Sequence, residues 1–235
     1  MKVQTLIVQS MIALATSVST LAPLAAHAQS DAGGSLLAGL QYEARNFAVI
    51  SAAAGAKGAV TCTDSTILGN VGSSGKRPAV VQTRCSITGR VVAPVTPAVL
   101  AQVNSEFDSL TKRQCQKQLV GTLAGRILAP GVYCFAASAS LTGQLTLNGS
   151  PAGVWVFQVN GNLTGKSFSM VMANGAKPCN VYLVSSGATT MTTSNAKANI
   201  YAGQAITMTG GSFVGRAFAK KAVTMTNLAA TGCGQ

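Results

Sequence analysis

A tripeptide recurs at one fixed interval in the C-terminal part of this 235-residue chain. Thr190-Met191-Thr192, Thr207-Met208-Thr209 and Thr224-Met225-Thr226 follow one another at 17-residue steps, and segments 199–202 and 216–219 are offset by the same interval. A fixed period near 20 residues is typical of a solenoid, whose coils bury their core only by stacking on their neighbours. The repeat therefore predicts a mainly β fold built of stacked coils.

The alternation of residues within each repeat assigns its two sides. Successive side chains of a strand point to opposite sides, so Ile206 and Met208 lie opposite Thr207 and Thr209. The apolar pair must face the core, which turns the threonines outward. Stacked coils would place equivalent threonines about 4.7–4.9 Å apart. Threonine suits exposed strands in general, but three repeats in register favour a functional array of methyl and hydroxyl groups.

The first 28 residues have the pattern of an export signal. Lys2 precedes an apolar segment that ends near Leu24, and Ala26-His27-Ala28 supplies a small-x-small cleavage site. Polar residues and Pro23 interrupt the apolar run, which favours a cleaved signal over a membrane anchor. No later segment reaches the roughly 18–20 apolar residues of a membrane helix.

These features predict a signal peptide at residues 1–28, a linker at 29–36 and one β domain at 37–235. We expect the mature protein to be secreted or held at the cell surface, with the periplasm as a further possibility. We expect no integral membrane segment in the mature chain.

Side chains suited to acid–base chemistry are scarce in the mature chain. The one histidine, His27, lies in the export signal, and no carboxylate side chain follows Asp108. General acid–base catalysis and hard-metal binding draw on His, Asp and Glu. Glycoside hydrolysis normally uses two carboxylates, so a β-helical lyase or glycosidase is the weakest hypothesis. We expect no enzyme activity, no cofactor and no metal.

The chain is strongly basic. It has 17 Lys and Arg against 5 Asp and Glu, a net charge of +12 that becomes +11 once Lys2 is removed. The basic residues are scattered, and no row of aromatic side chains accompanies them, which argues against a nucleic-acid groove. A solvated basic surface attracted to anionic envelope polymers is favoured instead. The repeat region contributes five of these cations: Lys166, Lys197, Arg216, Lys220 and Lys221.

Six cysteines remain after export, and an even count in an oxidising compartment predicts disulfides. Six cysteines allow 15 connectivities, and no C-x-x-C pair points to a metal site. The connectivity that we favour is Cys62–Cys85, Cys115–Cys134 and Cys179–Cys233, two local links and one that holds the C-terminus. The other connectivities remain open at this stage.

One helix is predicted over residues 97–117. Thr96 is placed as its N-cap and Pro97 as its first residue, where the missing N–H costs nothing. Leu100, Val103 and Phe107 recur at three- and four-residue steps and continue to Leu110, which gives one apolar stripe. We interpret the helix as a buttress along a larger body rather than as a cofactor site.

Several segments resemble a known family when they are taken in order around this helix. They are Ile67-Leu68-Gly69-Asn70-Val71-Gly72, Leu128-Ala129-Pro130-Gly131-Val132-Tyr133, Gly215-Arg216-Ala217-Phe218-Ala219 and Ala222-Val223-Thr224-Met225. The chain resembles the microbial ice-binding (antifreeze) proteins over residues 37–231. The resemblance implies a right-handed, discontinuous β-solenoid with one long α-helix packed alongside. It also implies that the partner is ice or ordered water.

The resemblance points to a flat solenoid face with a loose Thr-small-x-Thr/Asn pattern. Segments 192–195 and 209–212 match it imperfectly, as does 164–167, in which Lys166 intrudes. The candidate ice-binding residues are Thr190, Thr192, Thr207, Thr209, Thr224, Thr226, Ser194, Asn195 and Ser212. The alternative function is a cell-surface or matrix adhesion module that binds anionic polysaccharide through the basic residues.

Overall fold

The structure, a computed structural model, describes residues 43–53 and 59–234. The predicted signal peptide and linker lie outside these residues. The described part contains short strands, one complete α-helix and two 3₁₀ turns at Arg77–Ala79 and Pro178–Asn180. The helix is α1 (Pro97–Thr111), and the strands are β1 (Phe47–Ser51), β2 (Val60–Thr63), β3 (Thr66–Leu68), β4 (Asn70–Ser73), β5 (Val80–Thr83), β6 (Ser86–Ile87), β7 (Val91–Val92), β8 (Lys117–Gln118), β9 (Ile127–Leu128), β10 (Gly131–Phe135), β11 (Ala139–Asn148), β12 (Trp155–Val159), β13 (Leu163–Ala173), β14 (Val181–Ser185), β15 (Thr189–Lys197), β16 (Asn199–Ala202), β17 (Ile206–Val214), β18 (Ala217–Ala219), β19 (Val223–Thr226) and β20 (Ala229–Thr231).

The strands form two sheets, each of parallel strands, and every complete coil contributes a strand to both. One sheet has nine strands in the order β7-β4-β1-β18-β16-β14-β12-β10-β8. The other has eleven strands, with the path β5-β2-β19-β17-β15-β13-β11-β9 and with β20, β3 and β6 beside it. Parallel pairing between consecutive coils is the architecture of a β-solenoid, so the prediction of a mainly β solenoid with one long helix is confirmed.

The solenoid is discontinuous because the chain enters it in the middle. The C-terminal strands β18, β19 and β20 pair in parallel with the N-terminal strands β1, β2 and β3. From this junction the N-terminal strands follow one another outward to β7, which lies at one edge of the nine-stranded sheet. Helix α1 then leads to β8 at the opposite edge, and the remaining coils stack back toward the junction.

The interior of the coils is apolar. Met191, Met208 and Met225 are in register with one another and with Cys62, and all four side chains are buried. Larger side chains such as Trp155 fill the rest of the core. The Trp155 indole N–H donates to the carbonyl of Leu128 at 3.1 Å, which satisfies its one buried donor.

Helix α1 packs against the outer side of the nine-stranded sheet. Val99, Val103 and Leu110 are its buried residues, while Leu100 and Phe107 are partly buried against the same cluster. The helix begins where the sequence predicts, since Thr96 accepts a hydrogen bond from the Val99 N–H at 3.3 Å. Among the helices of the described residues, none is long and apolar enough to span a membrane.

The helix ends at Thr111, six residues before the predicted end. Gln158 of β12 donates its amide to the carbonyl oxygens of Leu110 at 2.7 Å and Arg113 at 2.9 Å. These bonds satisfy carbonyls that a helix end leaves without a partner. Immediately afterwards, Cys115 is bonded to Cys134. The end of the helix therefore depends on contacts from distant strands. The apolar periodicity of the helical segment carries no information about these contacts.

The disulfides have the connectivity favoured from the sequence. Cys62–Cys85, Cys115–Cys134 and Cys179–Cys233 join Cα atoms 5.8, 5.9 and 5.8 Å apart, within the range that a disulfide requires. No cysteine of residues 43–53 and 59–234 is free. Each of the first two bonds links neighbouring coils, and the third ties the C-terminal segment to the turn before β14.

We predict that Gly215→Ala destabilises the protein far more than Gly210→Ala. Gly215 has φ +149°, and an added Cβ would lie 1.9 Å from the carbonyl oxygen of Ala198 in the next coil. Gly210 has φ +68°, but its nearest contact would be an ordinary 3.5 Å. Left-handed strain alone should cost about 1–2 kcal/mol at Gly210. Strain together with a backbone clash should exceed about 3 kcal/mol at Gly215. Denaturant unfolding of both variants measures the difference, and equal losses would contradict the close stacking of the coils.

We also predict that the exported protein contains three intramolecular disulfides. Its mass should rise by six hydrogens on reduction, and alkylation without reduction should leave the mass unchanged. Loss of a native disulfide typically costs about 2–5 kcal/mol, so Cys179→Ser should lower the melting temperature. Alkylation of the unreduced protein would reveal a free thiol and contradict the prediction that all six cysteines are paired.

Candidate functional site

The outward threonines of six neighbouring strands form two parallel rows, which we call the threonine face. The register of β13, β15, β17, β19, β2 and β5 aligns equivalent positions of consecutive coils. The first row is Thr164, Thr190, Thr207, Thr224 and Thr61; the second is Thr192, Thr209, Thr226, Thr63 and Thr83. All of these side chains are partly or fully exposed, as the alternation predicts.

Four threonines of this face are not among the nine candidate residues of the sequence analysis, although segment 164–167 is an imperfect match to the family pattern. Thr61, Thr63 and Thr83 come from N-terminal strands that stack on β19, and Thr164 comes from β13. A sequence signal exists, because Thr61-Cys62-Thr63 repeats the pattern of alternating threonines. It escapes the 17-residue period because the N-terminal coils join the stack at the chain's discontinuity.

The spacing on the threonine face follows from the strand geometry. Neighbouring coils are about 4.7–4.9 Å apart, and the two threonines of one strand are about 6.5–7 Å apart. Threonine is stiff at χ1 because it is β-branched. Within the described part of the chain, the hydroxyls of Thr190, Thr207 and Thr224 make no side-chain hydrogen bond to protein, nor do those of Thr192, Thr209 and Thr226. These hydroxyls are therefore available to water.

The two rows differ in how they continue at the ends of the threonine face. In the first row, Val81 of β5 follows Thr61, and Ser140 of β11 follows Thr164 at the other end. In the second row, the position after Thr192 is occupied by the exposed Lys166, beyond which Thr142 resumes the pattern. A single cation thus interrupts a row of hydroxyls.

A corner separates the threonine face from the next side of the solenoid. At matched positions, Ser167, Thr193 and Asn227 have φ of 48°, 46° and 51°, and Gly210 has 68°. A left-handed residue turns the strand and shifts the inward–outward alternation by one residue. On β15, therefore, Thr190 and Thr192 point outward before the corner, whereas Asn195 points outward after it.

The prediction of Ser194 as a surface residue of the ice-binding site is wrong. The shift at the corner turns its side chain inward, where it is only 2% exposed. Its hydroxyl donates to the carbonyl of Thr192 at 2.9 Å and accepts from the N–H of Phe168 at 3.2 Å. Ser65 makes the equivalent pair of bonds at another coil, to the carbonyl of Thr63 and from the N–H of Leu228. Ser194 therefore satisfies the backbone at the corner and is not a surface residue.

Asn195 and Ser212 lie on the side beyond the corner, which we call the adjacent face. They are in register, and the Ser212 hydroxyl donates to the Asn195 amide oxygen at 2.9 Å. Their polar groups are engaged with each other. The structure thus divides the nine candidate residues into six on the threonine face, two on the adjacent face and one in the core.

Besides Lys166, the threonine face has a charged pair at its margin. At its N-terminal edge, Arg84 pairs with Asp64, with the Arg84 Nη2 atom 2.7 Å from the Asp64 Oδ2 atom. The hydrogen bonds from Arg84 hold the pKa of Asp64 below its usual value. The ten threonine positions themselves contain no titratable group.

A groove of about 540 Å³ lies on the nine-stranded sheet, between α1 and β14. Arg45, Arg113, Tyr182 and Glu106 are among its lining residues. Burial raises the pKa of the Tyr182 hydroxyl, and the Glu106 carboxylate adds to the shift. The groove lining holds one carboxylate, whereas glycoside hydrolysis normally uses two. Across residues 43–53 and 59–234, no three His, Cys, Asp or Glu side chains are grouped to hold a metal ion.

The fold and the threonine face define a β-solenoid protein whose candidate site is a rigid, regular surface rather than a pocket. The chain belongs to the ice-binding-like family, whose sequence model matches residues 49–231. This family consists of ice-binding proteins rather than enzymes, in agreement with the prediction of a non-catalytic protein.

Known relatives support this assignment. An ice-binding protein of Flavobacterium frigoris is 30% identical over 182 residues, which cover 69% of this chain and 64% of that protein. The chain thus spans less than two thirds of the length of this relative. A crystal structure of an ice-binding protein from an Antarctic biological consortium shares the fold, with a TM-score of 0.72, 26% identity and coverage of 80% and 88% of the two chains. A domain of Shewanella frigidimarina ice-binding protein 1 gives a TM-score of 0.68 at 26% identity, covering 83% and 97%.

Substitutions on the inward and outward sides of β17 should change the free energy of unfolding by very different amounts. Met208 is 1% exposed, so Met208→Ala should leave a cavity that costs about 2–5 kcal/mol. Thr207→Val, a matched change on the outward side, should alter the free energy of unfolding by no more than about 0.5 kcal/mol. Denaturant unfolding of both variants provides the test. A large loss for Thr207→Val would show that the Thr207 hydroxyl makes a stabilising hydrogen bond within the protein instead of facing water.

Proposed function

We propose that the protein binds ice through the threonine face and inhibits ice growth or recrystallisation. The observation that supports this most directly is the register of ten threonines from six strands. Membership of the ice-binding-like family supports the same ligand. The function is non-catalytic, because adsorption to a crystal surface blocks its growth without any chemical step.

The chemistry of the face suits ordered water. Each threonine offers a hydroxyl that can donate and accept hydrogen bonds. It also offers a methyl group, around which water molecules are orientationally restricted. Strand pairing fixes these groups at regular intervals, and the stiff χ1 angle leaves little side-chain freedom to lose on binding. A flexible surface with the same composition would lose more entropy on adsorption.

The distribution of charge does not favour the adhesion hypothesis. Four of the five basic residues of the repeat region fall on different parts of the molecule. Arg216 is buried, Lys220 contacts α1, Lys197 points from the adjacent face, and Lys166 lies in a row of the threonine face. Lys220 stacks over the Phe107 ring at 4.2 Å and lies 3.8 Å from Asp108. These positions do not form one basic patch that an anionic polymer could follow.

We also propose that the protein works outside the cytoplasm. The export pattern of residues 1–28 supports secretion or display at the cell surface. The three disulfides agree with an oxidising compartment. Ice outside the cell would then be accessible to the threonine face.

The decisive test replaces one central threonine with a bulky residue. Thr207→Tyr and Thr209→Tyr should each remove most of the ice-growth inhibition, because the ring breaks the flatness of the middle coil. The melting temperature should change little, since substitutions at exposed sites usually stay within about 0.5 kcal/mol. Thermal hysteresis and recrystallisation at equal protein concentration are the measurements.

Asn195→Tyr is the matched control. It adds the same ring to an exposed position in the neighbouring coil, but on the adjacent face. Activity should be retained in this variant. If Asn195→Tyr abolishes activity and the threonine variants keep it, ice binds the adjacent face. If the wild type shows no ice activity but binds an anionic polymer in a salt-dependent manner, the adhesion hypothesis replaces this proposal.

A further inference from the structure

The threonine pattern of the face continues beyond the interruption at Lys166. In the second row, strand pairing aligns Thr192 of β15 with Lys166 of β13, and Lys166 with Thr142 of β11. The first row passes through the same strands without a break, from Thr190 to Thr164 and Ser140. Both rows therefore carry hydroxyls on either side of the coil that contains Lys166.

Lys166 stands on the surface and not in the core. Its side chain is exposed, while Leu163 and Gly165 of the same strand are buried. No ion pair involves Lys166 among the described residues. A lysine ammonium is compact, strongly hydrated and carried on a flexible four-carbon stem. Such a group neither continues a flat array nor gives up its hydration shell cheaply.

We infer that Lys166 sets the extent of the ice-binding surface and limits its activity. The inference rests on the proposed ice-binding function and concerns one residue that restricts it. In the native chain four strands, β2, β19, β17 and β15, carry threonine at both outward positions. The substitution Lys166→Thr would give β13 a threonine at each of its two outward positions, and Ser140 with Thr142 would extend the array through β11. The continuous face would then grow from four coils to six.

The test is Lys166→Thr in the full exported protein. Thermal hysteresis at equal molar concentration should rise at least about twofold, because additional binding positions on one rigid body increase avidity. The melting temperature should remain that of the wild type. Lys166→Arg, which keeps the charge and the long stem, should show no gain.

Lys197→Thr is the matched control for charge. It removes the same charge from an outward position of β15, but on the adjacent face. Equal gains for Lys166→Thr and Lys197→Thr would attribute the effect to net charge and overturn the inference. Unchanged activity of Lys166→Thr would also overturn it. If Thr207→Tyr loses activity in the same assay while Lys166→Thr gains none, the inference about Lys166 fails and the proposed function stands. If Thr207→Tyr has no effect, the proposed face itself is wrong.

Discussion

Parallel hydrogen bonding between coils is the constraint on which the rest of the structure depends. It fixes the distance between coils, keeps equivalent residues in register and places every second side chain outward. The junction between the two ends of the chain is where this constraint is most demanding. There β19 pairs with β2, so that Thr224 and Thr226 align with Thr61 and Thr63 over a separation of more than 160 residues. Without that junction the threonine face would consist of two separate pieces.

The edge of the threonine face depends on polar side chains that are buried at the corner. At the corner, a left-handed residue in each coil ends the face, and two inward serines, Ser65 and Ser194, satisfy backbone groups that the turn leaves unpaired. Buried backbone donors and acceptors without partners are costly. The same corner therefore stabilises the fold and limits the width of the surface. A serine that resembles a surface residue in the sequence is thus a structural element.

Local patterns in the sequence predict local structure well here. The 17-residue period and the alternation of Thr and Met predict the solenoid and the outward threonines, and the capping pattern predicts the start of α1 at Pro97. These patterns fail where a distant segment decides the outcome. The helix stops at Thr111 because Gln158 and Cys134 act on its end, and Ser194 turns inward because the corner shifts the alternation. Thr63 and Thr83 join the site through pairing across the discontinuity, and the 17-residue period does not extend to them.

The basic composition, which the threonine face does not use, has a physical explanation at the ends of the solenoid. The strands at both edges have unpaired backbone groups, which invite pairing with another chain. Exposed cations are grouped around both edges: Lys76, Arg77, Arg84 and Arg90 near β5–β7, and Lys112, Arg113, Lys117 and Arg126 near β8 and β9. Charged side chains at an edge oppose such pairing. Two like-charged ends also repel each other, which opposes stacking of one solenoid on the next. These eight exposed cations thus lie where an open solenoid most needs protection, whereas Lys166 lies among the threonines between the two ends.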